Sequence, residues 1–133
     1  MGTSWTSDLL TGHELIDEQH QKLFVHFNEL YELIRVGKGQ DEILSMIEFL
    51  EEYIKFHFDS EMELQEKSKY PGAEDHKRLH AIFKKQVSIF SKELKENGVD
   101  DKLLLRVNLT IVDWIRVHIG EEDKKFVKYL NSL

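Results

Sequence analysis

The sequence predicts an all-α fold, an antiparallel up-down-up-down four-helix bundle with an N-terminal arm and a short C-terminal helix. Three observations predict it. Proline occurs once, at Pro71, and the seven glycines fall mostly where the apolar pattern breaks. The clearest breaks, Gly37-Lys38-Gly39, Tyr70-Pro71-Gly72 and Asn97-Gly98, divide the chain after its arm into four segments of about 20 residues each. Each segment carries apolar residues at alternating steps of three and four, the spacing of one buried helical stripe. Short connections make consecutive helices antiparallel neighbours.

Taken in order, residues 1–16 form the arm, and Trp5 is expected to pack it onto the bundle. The first helix runs from about Asp17 to Arg35, with Ile16, His20, Leu23, Phe27, Leu30 and Ile34 in its stripe. The second has Ile43, Ile47, Leu50, Ile54, His57, Glu61 and Leu64. The third shows His76, His80, Phe83, Val87, Phe90 and Leu94, and the fourth Leu104, Val107, Ile111, Trp114 and His118. A shorter helix is expected after Gly120, and residues 17–133 make up the bundle with that helix. Every stripe is interrupted by a polar residue at a core position.

At 133 residues the chain suits one domain with a real core. There is no cysteine, so disulfides and thiolate metal sites are excluded and nothing argues for an oxidising compartment. The formal charge of −7 is spread along the chain and no basic face stands out, which speaks against nucleic-acid binding. The start MGTSWTSDLL lacks the charged and apolar regions of a secretion signal, and no segment approaches the roughly 18 apolar residues of a membrane helix. A cytoplasmic protein is expected.

The register of an antiparallel bundle brings the interruptions to one end. His20 lies near the start of the first helix, His57 and Glu61 near the end of the second, His76 and His80 at the start of the third, and His118 at the end of the fourth. A lone histidine on an apolar face is more often a hydrogen-bonded core residue. Six such residues from four helices are another matter, because an unpaired buried carboxylate costs several kcal/mol in a domain whose net stability is about 5–15 kcal/mol. A bound cation removes that cost. Asp123 is a seventh candidate, five residues past His118, which is about 140° round an unbroken helix. Gly120 supplies a place to bend, and spacing alone does not choose among Glu121, Glu122 and Asp123.

Five imidazoles and two carboxylates exceed the four ligands of one zinc and suit two metal ions bridged by carboxylates. Imidazole-rich, thiolate-free ligation suits iron, with copper, zinc or cobalt allowed by ligand type. No Glu-x-x-His motif of the ferritin-like di-iron proteins occurs, and His13-Glu14-Leu15-Ile16-Asp17 has Asp17 where a zinc protease needs its second histidine.

The set DEQH ending at His20, HFDSE from His57 to Glu61, HKRLH from His76 to His80 and HIGEED from His118 to Asp123 resembles the ligand pattern of the hemerythrin family. The arm with Trp5, Gly12 and Ile16-Asp17, together with DWIRVHIGEED, is most similar to the single-domain bacterial members, and the likeness covers essentially the whole chain. The resemblance implies a four-helix bundle holding a non-haem di-iron centre with a hydroxo or oxo bridge, binding O2 reversibly. By the same resemblance His76, His80 and His118 would bind one iron and His20 and His57 the other, with Glu61 and Asp123 bridging. Leu23, Phe58, Trp114, Ile115 and Ile119 match the family's apolar O2 pocket, although each would also serve as ordinary core. His26 is expected on the surface and His13 is not expected to be a ligand. Phe126 stands where relatives often carry tyrosine.

The expected function is reversible O2 binding for storage, delivery or scavenging, and not catalysis. Two rivals use the same centre: an O2 or redox sensor acting through a separate, unknown protein partner, and a peroxidase-like or nitric-oxide-reducing enzyme. The pocket offers no evident general acid or base beyond the ligands, which disfavours the enzyme.

Overall fold

In the computed structural model, which describes residues 5–107, 109 and 113–133, the chain is all-helical, with no strand among the described residues. A 3-10 turn, Ser7–Leu9, is followed by α1 (Glu14–Arg35), α2 (Gln40–Ser68), α3 (Ala73–Asn97), α4 (Asp101–Arg106) and α5 (Asp113–His118). A π-helical turn, Ile119–Asp123, then leads into α6 (Lys124–Asn131). Of the predicted fourth stripe, Ile111 and the Leu104 side chain lie outside the described residues, as do residues 1–4 of the arm.

The predicted breaks are the observed ones, each with a local cause. α1 starts three residues before the expected Asp17 because the His13 ring caps it, Nδ1 accepting from the Ile16 N–H at 3.3 Å. Asp17 is instead buried as an anchor for the arm. Its carboxylate accepts from Thr11 N and Oγ1 at 2.9 and 2.7 Å and from Gly12 N at 3.2 Å, a loop that places Gly12 at φ 92°, where glycine is favoured. α2 ends at a left-handed Lys69 before Pro71, which cannot continue a helix. The Asp100 carboxylate accepts from Leu103 N at 2.7 Å at the start of α4.

α2 packs against both α1 and α3. The stripes meet in one core cluster running from Ile34, Ile43 and Leu94 to Leu23, Phe58 and Phe83, and Ile115 and Ile119 close it from the fourth segment. A second, smaller cluster of Ile16, Phe126 and Val127 packs with Leu64, Tyr70 and Leu130. Ile16 lies one turn before His20, while Leu64 and Phe126 lie about one turn beyond Glu61 and Asp123. This small cluster therefore covers one end of the bundle, and the polar residues form a layer between two apolar ones. Lys124 donates to the Asp8 carbonyl and Arg116 to Thr6 Oγ1, so the arm is held across the same end.

Candidate metal centre

Seven side chains from α1, α2, α3, α5 and the π turn meet in that layer: His20, His57, Glu61, His76, His80, His118 and Asp123, all buried. Glu61 and Asp123 each spread their two oxygens across it. Glu61 Oε1 lies 2.8 Å from His76 Nε2 and 4.0 Å from His80 Nε2, and its Oε2 lies 3.3 Å from His57 Nε2. Asp123 Oδ1 lies 3.0 Å from His76 Nε2 and 3.3 Å from His118 Nε2, while Oδ2 lies 2.9 Å from His20 Nε2. The donors thus fall into two groups, one of Glu61, His76, His80, His118 and Asp123, the other of His20, His57, Glu61 and Asp123. The carboxylates belong to both.

The π turn explains how Asp123 reaches His118. A turn closed by i→i+5 bonds brings residues five apart back onto nearly the same side of the axis. Glu121 is exposed and Glu122 half-buried, so the alternatives left open by spacing fall outside the cluster. Gly120 is not what allows the distortion, since its φ is not in the left-handed region.

The donor set itself asks for a cation. Four of these oxygens each have an imidazole Nε2 at 2.8–3.3 Å, yet none is met at a hydrogen-bonding angle. His76 and His80 present Nε2 to His118 Nε2 at 2.9 and 3.1 Å, a convergence of ring nitrogens that favours a shared positive centre. The protonation equilibria carry the same conflict. Burial, with the neighbouring Asp123, pushes Glu61 well above the usual carboxylate range. Burial would raise Asp123 too, but His118, His20 and His76 outweigh it and hold it well below. Burial and the adjacent imidazoles lower His57 to about 3 and His80 to about 2. For His76 burial is overcome by the Asp123 and Glu61 carboxylates, which hold it up at about 10.

Two glutamines escaped the sequence reading. Gln19 Oε1 lies 2.7 Å from His57 Nδ1, so Nδ1–H donates outward and the Nε2 lone pair faces the centre. The Tyr53 hydroxyl donates to the Gln19 carbonyl at 3.1 Å and steadies that turn of α1. Gln65, fully buried, sets its amide 2.9 Å from His76 Nδ1, with Oε1 unpartnered. Rotating that amide by half a turn gives the orphaned oxygen the Nδ1–H and frees His76 Nε2 for a cation.

The predicted apolar residues lie against the imidazoles. Phe58 stacks on His80 at 3.7 Å and 1° between planes, and Trp114, half-buried, stacks on both His118 at 4.6 Å and Phe83 at 4.4 Å. Leu23, Ile115 and Ile119 are fully buried in the same cluster. His26 departs from expectation. It is half-buried under Phe49 and Tyr53, with ring centroids 4.7 and 5.2 Å away, because the aromatic outer face of α2 leans over α1. Phe126 is buried against Tyr70 at 4.9 Å.

A bundle with such a layer defines a metal-binding helical protein, and comparison with known proteins gives the family. The profile described as "Hemerythrin HHE cation binding domain" matches residues 11–130. A bacteriohemerythrin of Clostridium acetobutylicum is 34% identical over 128 residues, covering 92% of this chain and 97% of its own. One from Stenotrophomonas maltophilia is 30% identical over 96% of this chain and 81% of its own, and one from Campylobacter jejuni 30% over 88% and 86%. The chain belongs to the hemerythrin family.

Proposed function

We propose that the protein binds two iron ions in this layer and carries O2 reversibly at them, for storage, delivery or scavenging. The supporting observation is the way Glu61 and Asp123 each divide their oxygens between the two donor groups, as bridging carboxylates must. His76, His80 and His118 would hold one iron with the two carboxylates, and His20 and His57 would hold the other with them, so the second donor group offers one protein ligand fewer. When bound, the irons supply the electrons that O2 takes up and returns.

The chain's own residues favour a reversible exchange by setting apolar side chains against the imidazoles and keeping the ligands fixed. Leu23, Phe58, Trp114, Ile115 and Ile119 form the apolar wall, and Gln19 and Gln65 hold two imidazoles in the ligating tautomer. Asp17, another buried carboxylate, is fully engaged by Thr11 and Gly12 and is not available as an acid or base. No helix among the described residues is long and apolar enough to cross a membrane, and a chain without cysteine suits the cytoplasm. A single hemerythrin-like domain, residues 1–133 with 1–16 as the arm, carries the whole site.

The test is metal analysis with absorption spectra of the reduced protein under argon, in air and under argon again. Two irons per chain and a visible band that comes with O2 and goes without it are expected. One metal per chain, or a spectrum indifferent to O2, would reject the proposal.

A further inference from the structure

The seven side chains are buried, so a hydrated cation needs a route to them. Two surface cavities reach the layer. One, of about 230 Å3, lies between α1 and α2 and has Glu61 and Gln19 on its floor, with His13, Ser60, Glu63 and Lys67 around it. The other, of about 390 Å3, lies between α2 and α3 and ends on Phe58 and His80.

We propose that the cavity between α1 and α2 is the port through which divalent cations enter, with Glu61 the first buried ligand they meet. The proposal rests on the cluster being a metal centre. A divalent ion gives up its waters only as other donors replace them. This cavity offers replacements in sequence. His13 has its Nδ1 engaged by the Ile16 N–H, which fixes the ring and leaves Nε2 for an incoming ion. Ser60 adds a hydroxyl, and Glu63 a carboxylate whose partner, Lys67 at 3.0 Å, is largely exposed and free to swing away. Such an exposed pair contributes little stability, so opening it costs little. Beneath them Glu61 is common to both donor groups, so an ion that reaches it can settle in either.

The cavity between α2 and α3 is the natural competitor, and its rim carries Asp59, Glu66 and Glu74 and shares Glu63 with the port. Its floor is different. There the Phe58 ring covers the His80 ring in parallel contact at 3.7 Å, and neither Glu61 nor Asp123 lines the cavity. A cation arriving by that path would meet carboxylates at the rim but would have to shed its last waters against an aromatic face.

The experiment follows uptake rather than O2 chemistry. Metal-free protein is mixed rapidly with Co2+ and ligation is read from the visible cobalt absorption. Ser60→Phe and Leu15→Trp each fill the proposed port without altering any of the seven buried side chains, and only the first also removes a donor; Leu15 is half-exposed at the edge, so the second variant folds even if the first does not. Ala81→Trp fills the other cavity. The port variants should slow uptake about tenfold, the effect of ~1.4 kcal/mol on the entry barrier, while ending at two Co2+ per chain. Ala81→Trp should load at the parental rate. Parental rates in the port variants at full loading, or equal slowing by Ala81→Trp, would overturn the port alone. A parent that never takes more than one Co2+ would overturn the two-metal reading and the port with it.

Discussion

Deleting Gly120 should leave the proposed metal centre intact, even though the deletion falls between His118 and Asp123. Residues five apart are about 140° apart around an α-helix and about 50° apart in a π turn of roughly 4.4 residues. With one residue removed and the segment relaxed to α-helix, His118 and the aspartate become four apart, about 40°. The carboxylate thus returns to within ~10° of its present direction, with little change in rise, and Phe126 and Val127 keep their places under the bundle end. Gly120 is the residue to remove because a side chain there would meet nothing within 4 Å and its backbone is not left-handed. Losing a helical glycine should stabilise the fold by about 1 kcal/mol, or roughly 4 °C in Tm for a domain of this size. Asp123→Asn is the contrasting variant, since it removes the charge lying 2.9–3.3 Å from three imidazoles. Metal stoichiometry and thermal melts of both variants decide the matter. If the deletion loads no better than Asp123→Asn at full helix content, angular position is not what the π turn provides, and the account of it given above is wrong.

Ile119→Ala, at a fully buried site, should cost about 2–5 kcal/mol yet still bind metal and O2, and should autoxidise faster because the vacated space beside polar ligands admits water; an unchanged rate at full iron loading would leave Ile119 a packing residue only. Metal removal should lower Tm markedly, and Glu61→Gln should reduce metal loading far more than His26→Ala, whose cost is its contact with Phe49 and Tyr53; equal loading in the two variants would contradict a bridging Glu61. In the metal-free protein acidification should destabilise. Between about pH 6.5 and 4.5 the unfolded chain protonates two histidines that the fold keeps neutral, His57 at about 3 and His80 at about 2, while folded Glu61 keeps one proton that the unfolded chain releases. His76, protonated in both states well below 6.5, and Asp123, ionised in both above 3.8, drop out of that window. The net single proton amounts to about 1.4 kcal/mol lost per pH unit, and an apo Tm that stays flat or rises from pH 6.5 to 5 would refute the balance.

The bundle and most of the site were legible in the sequence for one physical reason. A polar residue in an apolar stripe is expensive, so His20, His57, Glu61, His76, His80 and His118 stood out against the Leu, Ile and Phe around them. Their common level followed from short connections alone. By spacing Asp123 was one of three acids beyond a glycine, since a π turn leaves no periodic mark that distinguishes it from a bend, and only the family resemblance singled it out. His13 looked like an idle histidine because capping depends on ring orientation, which spacing does not carry.

Gln65 shows where periodicity itself misleads. The α2 stripe from Ile43 to Leu64 spans three heptads at 3.5 residues per turn, but a straight α-helix turns every 3.6, a drift of about 20° per heptad. After three heptads the buried face has moved by about 60°, more than half of the step between neighbouring residues. At the bundle end the inward position has therefore passed from Leu64, half-buried in the structure, to Gln65, fully buried. The stripe points correctly as far as Glu61 and then errs by one residue. That one-residue slip is what sets an amide, in place of a leucine, behind His76, and a polar partner there fixes the ring's orientation and tautomer, which one further apolar contact would not do.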